Sequence, residues 1–238
     1  MDDQRIARIA GVLFIITFIT SIPAQLVFYD AVLNDADYIT GAGSDSSVAL
    51  GALLELFLII ANIGTAVVLF PVLRRTNEGL ALGYVTARIV ESFFIAVGIL
   101  SVLTIMALRQ EAADADGGSL LLVGQSLVEL HDWTFLLGPG FIVGIGNGVI
   151  LGYLMYRSGL VPRQMALIGL IGGPLLPLTA IAILFDLTEA GSGWQIAATV
   201  PEFIWELSLG IYLAVKGFRI APASLTPAID EEPRLAMA

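Results

Sequence analysis

Long apolar runs separated by short polar interruptions dominate this chain. Six stretches reach the roughly 20 mostly apolar residues that a helix needs to cross hydrocarbon. They are Ile9–Phe28, Val48–Leu73, Leu80–Leu108, Trp133–Tyr156, Met165–Phe185 and Ala197–Val215. Helix-ending residues follow several of them: Arg-Arg-Thr-Asn-Glu-Gly at 74–79, Arg-Ser-Gly at 157–159 and Lys-Gly at 216–217. The pattern predicts an all-α integral membrane bundle of six transmembrane helices. The first span reads as uncleaved, because its apolar run is long for a signal peptide and has no clean basic start.

Three segments fall outside the spans. Residues 30–47 read as an acidic, Gly/Ser-rich outer loop. Residues 118–131 are apolar but too short to cross, and predict a short outer-face interfacial or re-entrant helix before span four. The tail over 220–238 is rich in Pro, Ala and acid and reads as disordered and cytoplasmic. The domain division is therefore a transmembrane domain over 1–219 and a tail over 220–238. Span four contains Gly138-Pro139-Gly140, so it is either one kinked helix or two helices over 119–137 and 141–156. Gly140, Gly144, Gly148 and Gly152 form one stripe, with shorter stripes at Gly169/Gly173 and Gly79/Gly83. Small residues at this spacing let helix backbones meet closely. Internal contacts are expected there; a homo-oligomer seam is the alternative.

Charge placement gives an orientation. Arg5, Arg8, Arg74, Arg75, Arg157, Arg163, Lys216, Arg219 and Arg234 fall on one side of six crossings, and only Arg109 on the other. Asp30, Asp35, Asp37, Asp45, Glu111, Asp114, Asp116, Asp186 and Glu189 fall with Arg109. Basic loops stay cytoplasmic, so both termini are expected in the cytoplasm of a plasma (inner) membrane. Trp133 and Trp194 start spans four and six at the outer interface. The chain is 57% hydrophobic and 13% charged, against roughly 25% charged in soluble domains. A net charge of −10 argues against nucleic-acid partners, and the absence of cysteine excludes disulfides and thiolate chemistry.

The candidate chemistry lies in polar groups inside the spans. Glu55, Arg88, Glu91, Glu202 and Glu206 stand in otherwise apolar helices. An ionised side chain at the bilayer centre costs about 2.5–3.5 kcal/mol on insertion scales, so these groups must face one another, water or a ligand. Glu202 and Glu206 share a face at i,i+4; Arg88 and Glu91 share one at i,i+3. Glu55 and Asn62 are i,i+7, with Thr65 a turn beyond. Asn147 lies deep in span four, and Gln25 near the outer end of span one. His131 and Asp132 stand at the outer mouth. Together these nine residues — Glu55, Asn62, Arg88, Glu91, His131, Asp132, Asn147, Glu202 and Glu206 — make the candidate ligand- or ion-binding site. Arg88 neutralises one carboxylate, most plausibly Glu91; the remainder must be protonated, hydrated or cation-bound.

His131-Asp132-Trp133 admits an acid–base reading. The plainer one makes Asp132 the N-cap of span four, Trp133 an interfacial anchor and His131 a rim residue. No seryl nucleophile motif, no paired Glu-x-x-His of a di-metal bundle and no mid-span lysine for retinal is present. No cofactor, metal or catalytic residue is assigned.

Several strings carry a resemblance. Arg5-Ile-Ala-Arg-Ile-Ala-Gly, Ala61-Asn-Ile-Gly-Thr-Ala, Phe70-Pro-Val-Leu-Arg-Arg, His131-Asp-Trp-Thr-Phe-Leu-Leu-Gly-Pro-Gly, Trp205-Glu-Leu-Ser and Val215-Lys-Gly-Phe-Arg look like the bacterial membrane proteins grouped as domain of unknown function family 4386. The resemblance runs from about Arg5 to Arg219. It implies a multi-span inner-membrane protein and brings no activity. Three functional readings follow. The first is a transporter or binding protein for a small solute, coupled to ions or protons and open outward. The others are an intramembrane enzyme on a lipid or apolar substrate, and a structural subunit. The expected partners are the lipid bilayer and a small-molecule or cation ligand.

Overall fold

The structure is a computed structural model that describes residues 2–35, 38–41, 44–111 and 117–219. The expected tail over 220–238, and Asp37, Asp114 and Asp116, lie outside the described residues. Helix α1 (Asp3–Pro23) runs on through a π turn at Ala24–Phe28, followed by the short α2 (Asp30–Asn34). Next come α3 (Asp45–Leu73) and α4 (Glu78–Glu111). Then α5 (Gly117–Phe135) passes through two π segments, Leu136–Ile142 and Gly144–Leu151, into α6 (Gly152–Ser158). Helices α7 (Arg163–Leu184) and α8 (Gly193–Lys216) complete the chain. No strand occurs among the described residues. Among the described residues, six helical runs are long and apolar enough to cross a membrane.

The spans start earlier than their apolar runs. Asp45 and Glu78 sit in first helical turns, where acid is favoured by the helix dipole. Ser44, Asn77 and Ser192 cap α3, α4 and α8 by accepting from the backbone N–H groups of Ser47, Leu80 and Gln195.

Span four is one continuous helical run. Its backbone does not break at Gly138-Pro139-Gly140 but widens to π bonding. Pro139 offers no N–H to the α ladder, and the surrounding glycines accept unusual backbone geometry. The helix expected over 118–131 is present, but nothing separates it from span four, and it packs along α4. This overturns the N-cap role expected for Asp132, which lies inside α5 rather than at a helix start. The described part of the acidic segment over 30–47 carries more structure than its composition suggests. It contains α2, and Val32, Tyr38 and Ile39 are buried against Val102 and Ile105 of α4. Arg109 pins it by pairing with Asp45, donating to the Gly41 carbonyl and lying over the Tyr38 ring. The Tyr38 hydroxyl donates to Asp45 at 3.1 Å. Burial, and then that hydrogen bond, push its pKa above the ordinary value, so it remains a donor at neutral pH.

The first and last described residues gather at one end of the bundle. Gln4 donates to the Phe218 carbonyl, the Arg219 N–H donates to the Leu160 carbonyl, and Arg75 pairs with Asp3. This end carries Arg5, Arg8, Arg74, Arg75, Arg157, Arg163 and Arg219; Arg109 lies toward the other with Asp30, Asp45, Asp186 and Glu189. Each end has an apolar core, one around Phe14, Leu69, Leu154 and Trp205, the other around Tyr29, Val48 and Ile105. The polar residues are held between them. Outside, Ile19, Ile60, Phe93, Leu100 and Ile171 remain exposed, as a lipid-facing surface requires.

Glycine sets the tightest crossings. A Cβ at Gly148 would collide with the Gly173 backbone, and one at Gly144 with the Gly173 carbonyl and Pro177. A Cβ at Gly11 of α1 would collide with Ala214 and Gly210 of α8. Gly172 lies against the backbone of Glu202. The stripes of spans four and five are thus used within the chain. Gly79 meets only Asn77 and Gly83 only Ile150, at 3.5 Å each, so that stripe brings no backbones together.

Two substitutions separate these cases. Gly173→Ala places its Cβ about 2.7 Å from three backbone atoms of span four. Overpacking of this kind costs about 1–3 kcal/mol, so the thermal midpoint in detergent should fall. Gly79→Ala, exposed in the first turn of α4, should leave the midpoint unchanged or raise it by up to about 1 kcal/mol of stability. Equal midpoints for the two variants would contradict the crossing.

Candidate functional site

Three side chains close a hydrogen-bonded ring between α3 and α4. Arg88 Nη1 donates to Glu91 Oε2 at 2.7 Å, and Asn62 Nδ2 donates to Glu91 Oε1 at 3.0 Å. Arg88 Nη2 donates to Asn62 Oδ1. All three are buried. The i,i+3 spacing puts arginine and glutamate on one helix face, and Asn62 reaches them from the neighbouring helix. An amide suits this position because it donates to the anion and accepts from the cation. Beneath the ring, Thr65 and Tyr84 share a hydrogen bond at 3.4 Å, and the guanidinium lies 6.0 Å from the Phe14 ring centre.

A cavity of about 190 Å³ opens beside this ring, and every membrane-crossing run contributes to its wall. Thr17, Phe18 and Ser21 come from α1, Glu55 and Asn62 from α3, and Arg88 and Glu91 from α4. Phe135 and Pro139 come from span four, Leu176 from α7, and Glu202, Phe203 and Glu206 from α8. The four carboxylates from three helices thus meet at one void. Their partners differ. Glu91 is held on both oxygens. Glu55 accepts from the Tyr29 hydroxyl at 3.0 Å. Glu206 accepts from Asn147 Nδ2 at 2.6 Å. Glu202 is 2% exposed, and neither of its oxygens has a hydrogen-bond partner among the described residues. Room for its carboxylate exists because position 148 is glycine: a Cβ there would stand 2.7 Å from Glu202 Oε2.

Asn147 is fully buried behind the cavity wall and positioned by its own backbone, whose carbonyl accepts from Trp205 Nε1 at 3.0 Å. His131 is not a rim residue. It is buried beside Glu55, with Gly98 and Thr134 around a void of about 10 Å³, and its ring stands edge-on to Tyr29 at 5.9 Å. It lies deeper than expected because α5 extends beyond it toward the acidic end. Asp132 points elsewhere: its side chain is 60% exposed, and its contact with His131 Nδ1 is long at 3.4 Å. The pair does not form a buried acid–base couple.

Asp132 instead lines a second void of about 730 Å³ with Gln25, Leu26, Gly191, Gln195 and Ile196. Phe135, Thr199 and Phe203 belong to the walls of both voids. The larger void reaches the α7–α8 connection and so lies toward the acidic end. Phe18 and Phe203 close the side between α1 and α8 through an edge-to-face contact at 5.2 Å. Among the described residues, no group of three or more His, Asp or Glu side chains is placed to hold a metal ion.

A family model described as a domain of unknown function (DUF4386) matches residues 9–217. The chain belongs to that family. No curated protein and no solved structure matches it. Membership in the domain of unknown function 4386 family supplies no activity, so the chemistry of the site has to be read from its own residues. Tyr29, Thr17, Ser21 and Trp205 also shape the site, although none of them carries a charge that marks it in the sequence. Thr17, Ser21 and Gln25 recur at every fourth position of span one, which is a polar stripe along an apolar helix and a signal for a cavity wall.

Two measurements probe this arrangement. Arg88→Met leaves Glu91 buried without its cation, and breaking a buried pair costs about 3–5 kcal/mol. The double variant Arg88→Met/Glu91→Leu should recover much of that loss in thermal melts. Equal losses would show that the two groups are not coupled. Because the chain has no cysteine, Thr199→Cys gives a single thiol in the wall shared by both voids. It should react with a membrane-impermeant thiol reagent, whereas Phe93→Cys, facing lipid, should not. Similar reactivity at both positions would mean that the voids hold no water.

Proposed function

We propose that this protein is a multi-pass plasma-membrane transporter or binding protein for a small solute. Its site would comprise Glu55, Asn62, Arg88, Glu91, Glu202 and Glu206. The observation that carries this reading is Glu202: a buried carboxylate with no partner among the described residues, facing a cavity that the six described crossing runs build. A structural polar core would pair its charges, as Arg88, Glu91 and Asn62 do. An unpaired carboxylate in hydrocarbon needs either a proton or an arriving donor, and exchanging one for the other is the elementary act of coupled transport. Proline in α3, α7 and α8 and the π segments of span four supply the helix irregularities that accompany such sites.

The excess of arginine and lysine at one end supports a cytoplasmic placement for that end and for both described termini. The site then faces outward through the larger void. The enzyme reading finds less support, because His131 and Asp132 diverge.

Proteoliposomes carrying an internal pH-sensitive dye test the proposal. A panel of small solutes is supplied under an imposed proton gradient, and solute-dependent proton movement is recorded. Glu202→Gln, verified as folded, should lower that movement by at least about tenfold, the equivalent of one lost charge-assisted hydrogen bond. Wild-type movement in the folded variant would remove Glu202 from the transport step.

A further inference from the structure

The Glu202 cavity has features beyond its capacity to bind, and they narrow the chemistry of its occupant. Resting on the binding-site reading above, we propose that this cavity takes a protonated amine carried on a compact apolar body of about one aromatic ring.

Four observations lead there. The first is charge. Four carboxylates and one guanidinium border the void, and both terminal nitrogens of that guanidinium are engaged by Glu91 and Asn62, leaving its Nε without a partner among the described residues. An anion would meet uncompensated acid, whereas a cation would meet its complement. The second is hydrogen bonding. Of the four carboxylates, Glu202 alone has neither oxygen engaged among the described residues, so this acid has room for a donor on each oxygen. An ammonium group brings three N–H donors to those two oxygens. The third is the rest of the wall. Phe18, Phe135, Phe203, Leu58 and Leu176 line it, and aromatic faces attract cations while apolar faces exclude a strongly hydrated inorganic ion. A bare metal ion is a poor fit for another reason, since no cluster of three ligating side chains exists among the described residues. The fourth is size. The cavity measures about 190 Å³, and an apolar protein cavity of about 150 Å³ accommodates benzene. One ring with an aminomethyl group matches that space.

The route suits the same class. The larger void is bordered by Leu26, Ile196 and Val200 as well as by Gln25, Asp132 and Gln195. An amphipathic cation can place its ring against the first set and its charge against Asp132. It then passes Phe135, Thr199 and Phe203 to reach Glu202. Gln25 Oε1, buried and without a partner, is an acceptor on the way.

Benzylammonium is the probe, with benzyl alcohol and benzoate as neutral and anionic relatives of similar shape. Equilibrium dialysis of the full chain in nanodiscs of zwitterionic lipid, corrected with empty nanodiscs, measures each affinity. Benzylammonium should bind saturably, and at least about tenfold more tightly than either relative. Glu202→Gln should lose at least about tenfold in affinity, while Glu129→Gln on the exposed face of α5 should lose none. Benzylammonium should also slow thiol labelling of Thr199→Cys. The three-ligand comparison on the unaltered protein stands even where Glu202→Gln does not fold. Tighter or equal binding of the alcohol or benzoate overturns the proposal, as does unchanged affinity in folded Glu202→Gln. If no amine binds but Glu202-dependent proton movement persists with another solute, the amine class fails and the transport reading stands. If both are absent, both fail.

Discussion

A charged side chain placed in hydrocarbon must find its compensation inside the protein, and the whole bundle is arranged around that requirement. Arg88 and Glu91 would each be prohibitive alone. Side by side on one face of α4, they compensate each other, and Asn62 ties the pair to α3 by donating to Glu91 and accepting from Arg88. Desolvation makes such a ring expensive to build and costly to leave half made. It therefore fixes the register of the two longest single-segment crossings and puts the polar layer midway between two apolar cores.

Around that ring the neighbouring acids are treated unequally. Glu55 borrows a hydroxyl from the segment after α1, and Glu206 an amide from span four. Glu202 borrows nothing. The glycine crossings explain how such an acid can be accommodated. Gly148, Gly172 and Gly173 draw spans four, five and six together closely enough that only backbone and the Glu202 side chain fit in the seam. Close backbone approach in this protein thus serves two purposes: dispersion contacts between helices, and a narrow seat for a polar group.

Much of this was legible in the residue order. The six crossings follow from apolar run length, since hydrocarbon thickness leaves little freedom, and the arginine asymmetry gave a consistent alternation of ends. The Arg88–Glu91 pairing follows from i,i+3 spacing, and the inward role of the glycines at 144, 148 and 173 from their period. What escaped had separate physical causes. Asp132 looked like a helix cap because residues before it are too few to span, but helices are free to extend beyond the bilayer, and α5 does. His131 consequently moved from rim to interior. Tyr29 could not be anticipated, because its link to Glu55 depends on a π turn that rotates the end of span one. Span four kept its continuity through wider hydrogen bonding, a response to proline and glycine that period counting does not register. The shorter pair, Gly79 and Gly83, had the right spacing and no close neighbour, so spacing alone does not make a crossing.

The meeting of α1 and α8 has a mechanical consequence. Their backbones touch near Gly11 and Ala214, at the arginine-rich end, and have separated where Gln25 and Leu26 face Ile196 across the larger void. The two rods form a V with its apex at one surface. From Gly11 to Gln25 the arm is about 21 Å at 1.5 Å per residue, so a rotation of about 10° at the apex displaces the open end by about 4 Å. A contact small enough to be set by two missing methyl groups therefore governs an aperture most of a membrane leaflet away.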